Sequence, residues 1–130
     1  MEKKRILIIE DNEQNMYLTT YLLEKQGYEV LQARDGRHGL EAAVEDQPDL
    51  IILDIQLPVM NGYEVAARLK QDERTQSIPV VAVTSYAMAG DREAILAAGC
   101  EGYVEKPIDP DGFVALVKGF LNQQQKEGAR

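Results

Sequence analysis

Apolar and polar residues follow one another along this chain in two rhythms. Short runs that are apolar throughout stand at Ile6-Leu7-Ile8-Ile9, at Leu50-Ile51-Ile52-Leu53 and at Ile78-Pro79-Val80-Val81-Ala82-Val83. Two weaker runs lie at Glu29-Val30-Leu31-Gln32-Ala33 and Gly102-Tyr103-Val104. Unbroken rather than alternating apolarity fits parallel strands covered on both faces. Between the runs the spacing turns helical. Leu18 and Leu22 form an i, i+4 pair in a first segment ending at Gly27, and Leu40, Ala43 and Val44 line a second that closes before Pro48. Val65 and Leu69 mark a third, Ile95 and Ala98 a fourth that ends at Gly99. In the fifth, Phe113, Leu116, Val117, Phe120 and Leu121 fall at i, i+3, i+4, i+7 and i+8, one full helical face.

Capping chemistry supports these bounds. Asp109-Pro110 supplies an N-cap acid and a proline at the first helical position, and Asn61 with Glu64 resembles a capping box. Strict alternation of five strands and five helices predicts an α/β fold with right-handed crossovers: a flavodoxin-like, doubly wound five-stranded parallel sheet, (βα)5, in strand order 2-1-3-4-5. The pattern places one domain over residues 1–122, followed by a polar tail at 123–130 that is expected to fray.

Composition removes several function classes. No apolar run nears the roughly 20 residues of a membrane helix, and the N-terminus lacks a signal-peptide core, so membrane insertion is not expected and cytoplasmic residence is. One cysteine, Cys100, and one histidine, His38, cannot make an internal disulfide or a zinc site. Lys and Arg total 14 against 22 Asp and Glu, a net charge of -8 that repels nucleic-acid phosphates. Output must therefore pass through a protein partner or through small-molecule chemistry.

In doubly wound sheets, ligands bind outside the carboxyl ends of the strands. The residues just past the central strands are Glu10-Asp11, Asp54, Thr84-Ser85 and Lys106-Pro107, which bring three carboxylates, two hydroxyls and an ammonium to one rim. Two like charges about 4 Å apart repel by about 4 kcal/mol at an effective dielectric of 20, so such a cluster calls for a cation. Hard oxygen ligands with few fixed protein contacts suit Mg2+. Asp11 and Asp54 can ligate directly, Glu10 through a water, and the backbone carbonyl of Gln56 can complete the protein side. The free oxygen of Asp54 can then attack an in-line phosphoryl group, with Lys106 and the Thr84 hydroxyl on the phosphoryl oxygens. Pro107 is a candidate for a cis bond that helps fix the approach of Lys106.

The set Glu10-Asp11, Asp54 followed by Leu57-Pro58 and Gly62, Thr84 and Lys106-Pro107 resembles the receiver domain of bacterial two-component response regulators over about residues 4–121. Within that family, the stretches Val80–Asp91 and Ala98–Tyr103 are similar to stand-alone receivers of the DivK cell-division type and to receivers of hybrid kinases. The resemblance implies that Asp54 takes a phosphoryl group from a sensor histidine kinase or a histidine phosphotransfer domain. It implies a switch pair of Thr84 and Tyr103, and a partner face made of the fourth helix, fifth strand and fifth helix, which includes Met88. It also implies that Gln56 and Tyr86 tune the phosphoryl lifetime, with bulky Tyr86 shielding the pocket mouth.

Other readings stand beside this one. Glu10, Asp11 and Thr84-Ser85 have the composition of helix caps, and Asp54 that of a strand-end turn. A metal-dependent phosphatase with an aspartyl intermediate is an alternative, although the haloacid dehalogenase-like pattern needs a second Asp where Gln56 stands. A receiver fragment of a hybrid histidine kinase and a receiver that binds without phosphoryl chemistry complete the set. Cys100 and Met16 read as space-fillers, and His38 as a solvent-side residue.

Overall fold

The computed structural model describes residues 3–85 and 89–128. The strands are β1 (Arg5–Ile9), β2 (Glu29–Ala33), β3 (Leu50–Asp54), β4 (Val80–Thr84) and β5 (Gly102–Glu105). The helices alternate with them: α1 (Glu13–Lys25), α2 (Gly36–Asp46), α3 (Gly62–Gln71), α4 (Ala89–Ala97) and α5 (Pro110–Gly128). All strand pairs are parallel and the order is β2-β1-β3-β4-β5, the doubly wound topology expected from the alternation.

Strand geometry divides the core in two. Successive side chains of a strand point to opposite faces. Leu7, Ile9, Ile51, Leu53, Val80 and Ala82 therefore join Ala43, Val65, Leu69 and Ile95 of α2, α3 and α4 in one cluster. Ile6, Ile8, Leu50, Ile52, Val81 and Val83 join Met16 and Leu23 of α1 and Phe113, Val117 and Leu121 of α5 in the other. β3 and β4 are buried at every position, which is why their sequence shows no polar alternation.

The inward line of α1 differs from the expected one. Met16, Thr19 and Leu23 are its buried residues, and the Leu18–Leu22 pair sits to one side, half-buried. Thr19 enters the core because its hydroxyl donates to the Asn15 carbonyl at 2.8 Å, so an apolar-only count does not find it. On α2 the buried positions are Gly36, Gly39 and Ala43. A Cβ on Gly39 would stand 2.5 Å from Cδ1 of Ile9, so the glycine lets α2 lie close on β1. The caps fall at the predicted places: Asn61 Oδ1 accepts from the Glu64 N–H at 3.1 Å and Asp109 Oδ2 from the Gly112 N–H at 3.1 Å. For α1 the cap is Asn12, whose Oδ1 accepts from the Asn15 N–H at 2.9 Å, so Glu10 and Asp11 are not its cap. The α5 backbone stays helical to Gly128, beyond the expected start of the tail, while its last buried position described is Leu121.

Among the described residues no helix is long and apolar enough to cross a membrane.

Candidate functional site

The parallel register sets the site. β1, β3, β4 and β5 all end at the same edge, so the residues that follow them meet without any loop having to reach across. Asp54 closes β3, pairs with Val83 of β4 in the ladder, and is buried at 2% exposure. Glu10 follows β1 directly, and its N–H donates to the Ala33 carbonyl at 3.0 Å, which carries the sheet one residue further. Its side chain is buried at 4% exposure, whereas Asp11 faces solvent. One carboxylate oxygen from each of Glu10, Asp11 and Asp54 lies within 4.8 Å of the others.

Lys106, just past β5, answers these charges. Its Nζ is 3.2 Å from Asp54 Oδ1 and 3.7 Å from Glu10 Oε1, and its side chain is mostly buried. The Lys106 N–H donates to the Thr84 carbonyl at 2.8 Å, which ties the residue to the end of β4, and the Lys106–Pro107 bond is cis. One ammonium does not balance three carboxylates. Burial, then the hydrogen bond and the charge of Asp54, push the Glu10 carboxyl up from 4.5 to about 8 against the opposing pull of the Asn12 N–H and Lys106. The site therefore holds excess negative charge on hard oxygen donors, a set that fits Mg2+ at Asp11, Asp54 and Glu10.

Thr84 is buried at the end of β4, one residue past the Val83 partner of Asp54. The following N–H, of Ser85, donates to Gln56 Oε1 at 3.3 Å, and the Gln56 N–H donates to Asp54 Oδ1 at 2.9 Å. Gln56 thus ties the loops after β3 and β4 together over Asp54. The sequence pointed to its backbone carbonyl and, through the family resemblance, to a position that tunes phosphoryl lifetime, but not to this bond, since nothing in a residue string shows which way an amide side chain turns. Tyr103 lies opposite Ala82 in the ladder and packs, half-buried, against the α3–α4 side of the core. Tyr86 and Met88 lie outside the described residues.

The loop from Asp54 to α3 is held by a tight turn. Val59 stands at φ 66 and the Met60 N–H donates to the Pro58 carbonyl at 2.7 Å, the pattern of a γ-turn. The Gly62 N–H then reaches the Ile55 carbonyl at 2.9 Å, and a Cβ on Gly62 would meet the Asp54 carbonyl oxygen at 2.6 Å. His38 is exposed beside Asp35, and Cys100 is buried in the core, where burial pushes its thiol up to about 12.

The model of the response regulator receiver domain matches residues 6–118, a span that contains every one of these site residues. The chain belongs to the response regulator receiver family. The polar-differentiation response regulators DivK of Brucella ovis and of Brucella anthropi are each 48% identical to this receiver over 118 residues, covering 91% of it and 96% of the relative. Among solved structures, the chemotaxis protein CheY4 of Vibrio cholerae superimposes with a TM-score of 0.88 at 26% identity, over 92% of this receiver and all of that chain. The receiver domain of a sensor histidine kinase of Pseudomonas aeruginosa, solved with a magnesium ion coordinated in its active-site cleft, gives 0.86 at 30% identity, over 93% and 99%. The family is one of signalling domains that interact with histidine kinases and downstream proteins.

Proposed function

We propose that Asp54 is the phosphoryl acceptor of this receiver and that its phosphorylation alters binding to a downstream protein. The observation that carries this reading is a carboxylate at 2% exposure at the end of a central strand, with an ammonium 3.2 Å away and two further acids beside it. An Asp54 oxygen forms the new P–O bond as the P–N bond to a donor phosphohistidine breaks, and the imidazole departs with the electron pair. Lys106 is placed to turn from Asp54 Oδ1 to the arriving phosphoryl oxygens, and the Thr84 hydroxyl to donate to another. Asp11, Asp54, the Gln56 backbone carbonyl and, through a water, Glu10 would hold magnesium, which when bound neutralises charge on the phosphoryl oxygens. Autodephosphorylation at the same aspartate returns the receiver to its resting state.

The donor is a sensor histidine kinase or a histidine phosphotransfer domain. The face of α4, β5 and α5 meets the downstream partner, with Thr84 and Tyr103 as the switch pair between site and face. The 48% identity to Brucella DivK supports a messenger role of the DivK kind.

Intact-mass spectrometry after incubation with acetyl phosphate tests the acceptor role. One added phosphoryl group is expected in wild type with Mg2+, and none in Asp54→Asn or in chelator. An adduct that persists in Asp54→Asn overturns the assignment, and steady turnover of small phosphomonoesters would favour the phosphatase alternative.

A further inference from the structure

Three groups outside the acidic pocket form a column from α4 to the end of β5. The guanidinium carbon of Arg92 lies 5.6 Å from the centroid of the Tyr103 ring. Arg92 Nη2 is also 3.8 Å from Glu105 Oε1. Tyr103 and Glu105 are two apart on β5 and so share one face of the sheet. Glu105 is the ladder partner of Thr84 and the immediate neighbour of Lys106. The column therefore ends at the strand position beside the two residues that would hold the phosphoryl group, while its other end belongs to α4.

We infer that Arg92 is a positioning residue for Tyr103, holding the ring where it stands before phosphorylation. A cation over an aromatic face is attracted by the ring quadrupole, and Glu105 keeps the guanidinium from swinging away. A ring that moves must first leave this cation. Both charged partners are about half exposed, at 49% and 57%, so the hold is weak and salt-sensitive, as a reversible latch requires. Arg92 touches neither the phosphoryl acceptor nor the acids beside it. Its effect is on the balance between two ring positions, and through that balance on the affinity of the site for a phosphoryl group.

The inference rests on the reading of Asp54 as acceptor and of Tyr103 as a moving residue, and its test separates the three. Beryllofluoride with Mg2+ serves as the phosphoryl mimic, and the ring signals of Tyr103, assigned with Tyr103→Phe, report its position by NMR. Arg92→Gln should move those signals part-way toward their bound positions before any mimic is added. It should also raise beryllofluoride affinity about two- to fivefold, the size of an exposed cation–π contact. Arg92→Lys, which keeps a cation, should recover most of the wild-type behaviour, and molar salt should shrink the difference between wild type and Arg92→Gln. Unchanged signals and affinity in Arg92→Gln overturn the inference, as do equal changes in Gln and Lys variants. A wild type that binds beryllofluoride without moving Tyr103 overturns it too and leaves the acceptor reading intact. A wild type that binds no beryllofluoride and takes no phosphoryl group removes both.

Discussion

Glu10 combines burial, a neighbouring carboxylate and only a shared ammonium. Its carboxyl is pushed from 4.5 to about 8, first by desolvation and then by Asp54. Between those values the folded protein holds a proton that the unfolded chain has released, so this group makes stability fall as pH rises from about 4.5 toward about 8. Denaturant titrations across that range should show the decline in metal-free buffer, and Glu10→Gln should flatten it. Stability that rises over the same window in wild type but not in the variant would contradict the assigned direction. Asp72 shows the opposite case: the Arg74 side chain and N–H lower its carboxyl to about 2, but the pair is exposed and distant from the site chemistry. The surroundings set the direction: desolvation beside a second carboxylate raises Glu10, and a hydrogen-bonded guanidinium lowers Asp72.

At the scale of elements, glycines within α2 and α3 set how close these helices come to the sheet. Gly62, at the start of α3, faces backbone: a Cβ there would stand 2.4 Å from the Ile55 Cα and 2.6 Å from the Asp54 carbonyl oxygen. Relief requires moving the strand end that carries Asp54. Gly39 on α2 meets the fully buried Ile9 side chain instead, with Cδ1 at 2.5 Å, Cγ1 at 2.8 Å and Cγ2 at 3.1 Å, so relief there moves core packing rather than the strand end. Gly62→Ala and Gly39→Ala should therefore each cost about 1–3 kcal/mol in urea denaturation, but only Gly62→Ala should slow phosphorylation of Asp54. At the opposite edge of the sheet, Lys70 of α3 donates to the Ile78 carbonyl at 2.8 Å and to Glu101 at 2.7 Å. Glu101 in turn accepts from the Val80 N–H at 2.6 Å. This clasp joins α3 to the starts of β4 and β5, at the ends of those strands away from the acidic site.

For the whole molecule, the acidic cluster is a cost that a divalent cation can remove. A ligand that binds only the folded form adds RT ln(1 + [L]/Kd), about 2.7 kcal/mol at a hundredfold excess over Kd. The melting temperature should climb with Mg2+ in wild type and return when chelator is added. Asp11→Asn and Asp54→Asn should each blunt that response without lowering the metal-free melting temperature, because each removes a charge from a crowded site. An equal Mg2+ response in all three proteins would place the ion elsewhere on a chain of net charge -8. The Lys106 ammonium offsets part of that charge, since its Nζ sits within 4 Å of both buried acids.

The sequence alone determined the sheet, the order of its elements and the identity of the rim residues. Uninterrupted apolar runs can be satisfied only by strands covered on both sides, and a parallel sheet brings every residue that follows a strand to one edge. It determined the helical face less well wherever a polar residue goes inside: Thr19 is buried because its hydroxyl bonds to its own helix, and Gly36 and Gly39 because α2 needs close approach. Tertiary structure alone decided what depends on distance and direction across separate elements. Gln56 turns its side chain to the Ser85 N–H, Asn12 rather than the acids before it caps α1, and Arg92 settles over a ring 11 positions along the chain. None of these is written in spacing, because side-chain rotation and the packing of α4 on β5 are set only once the whole sheet has formed.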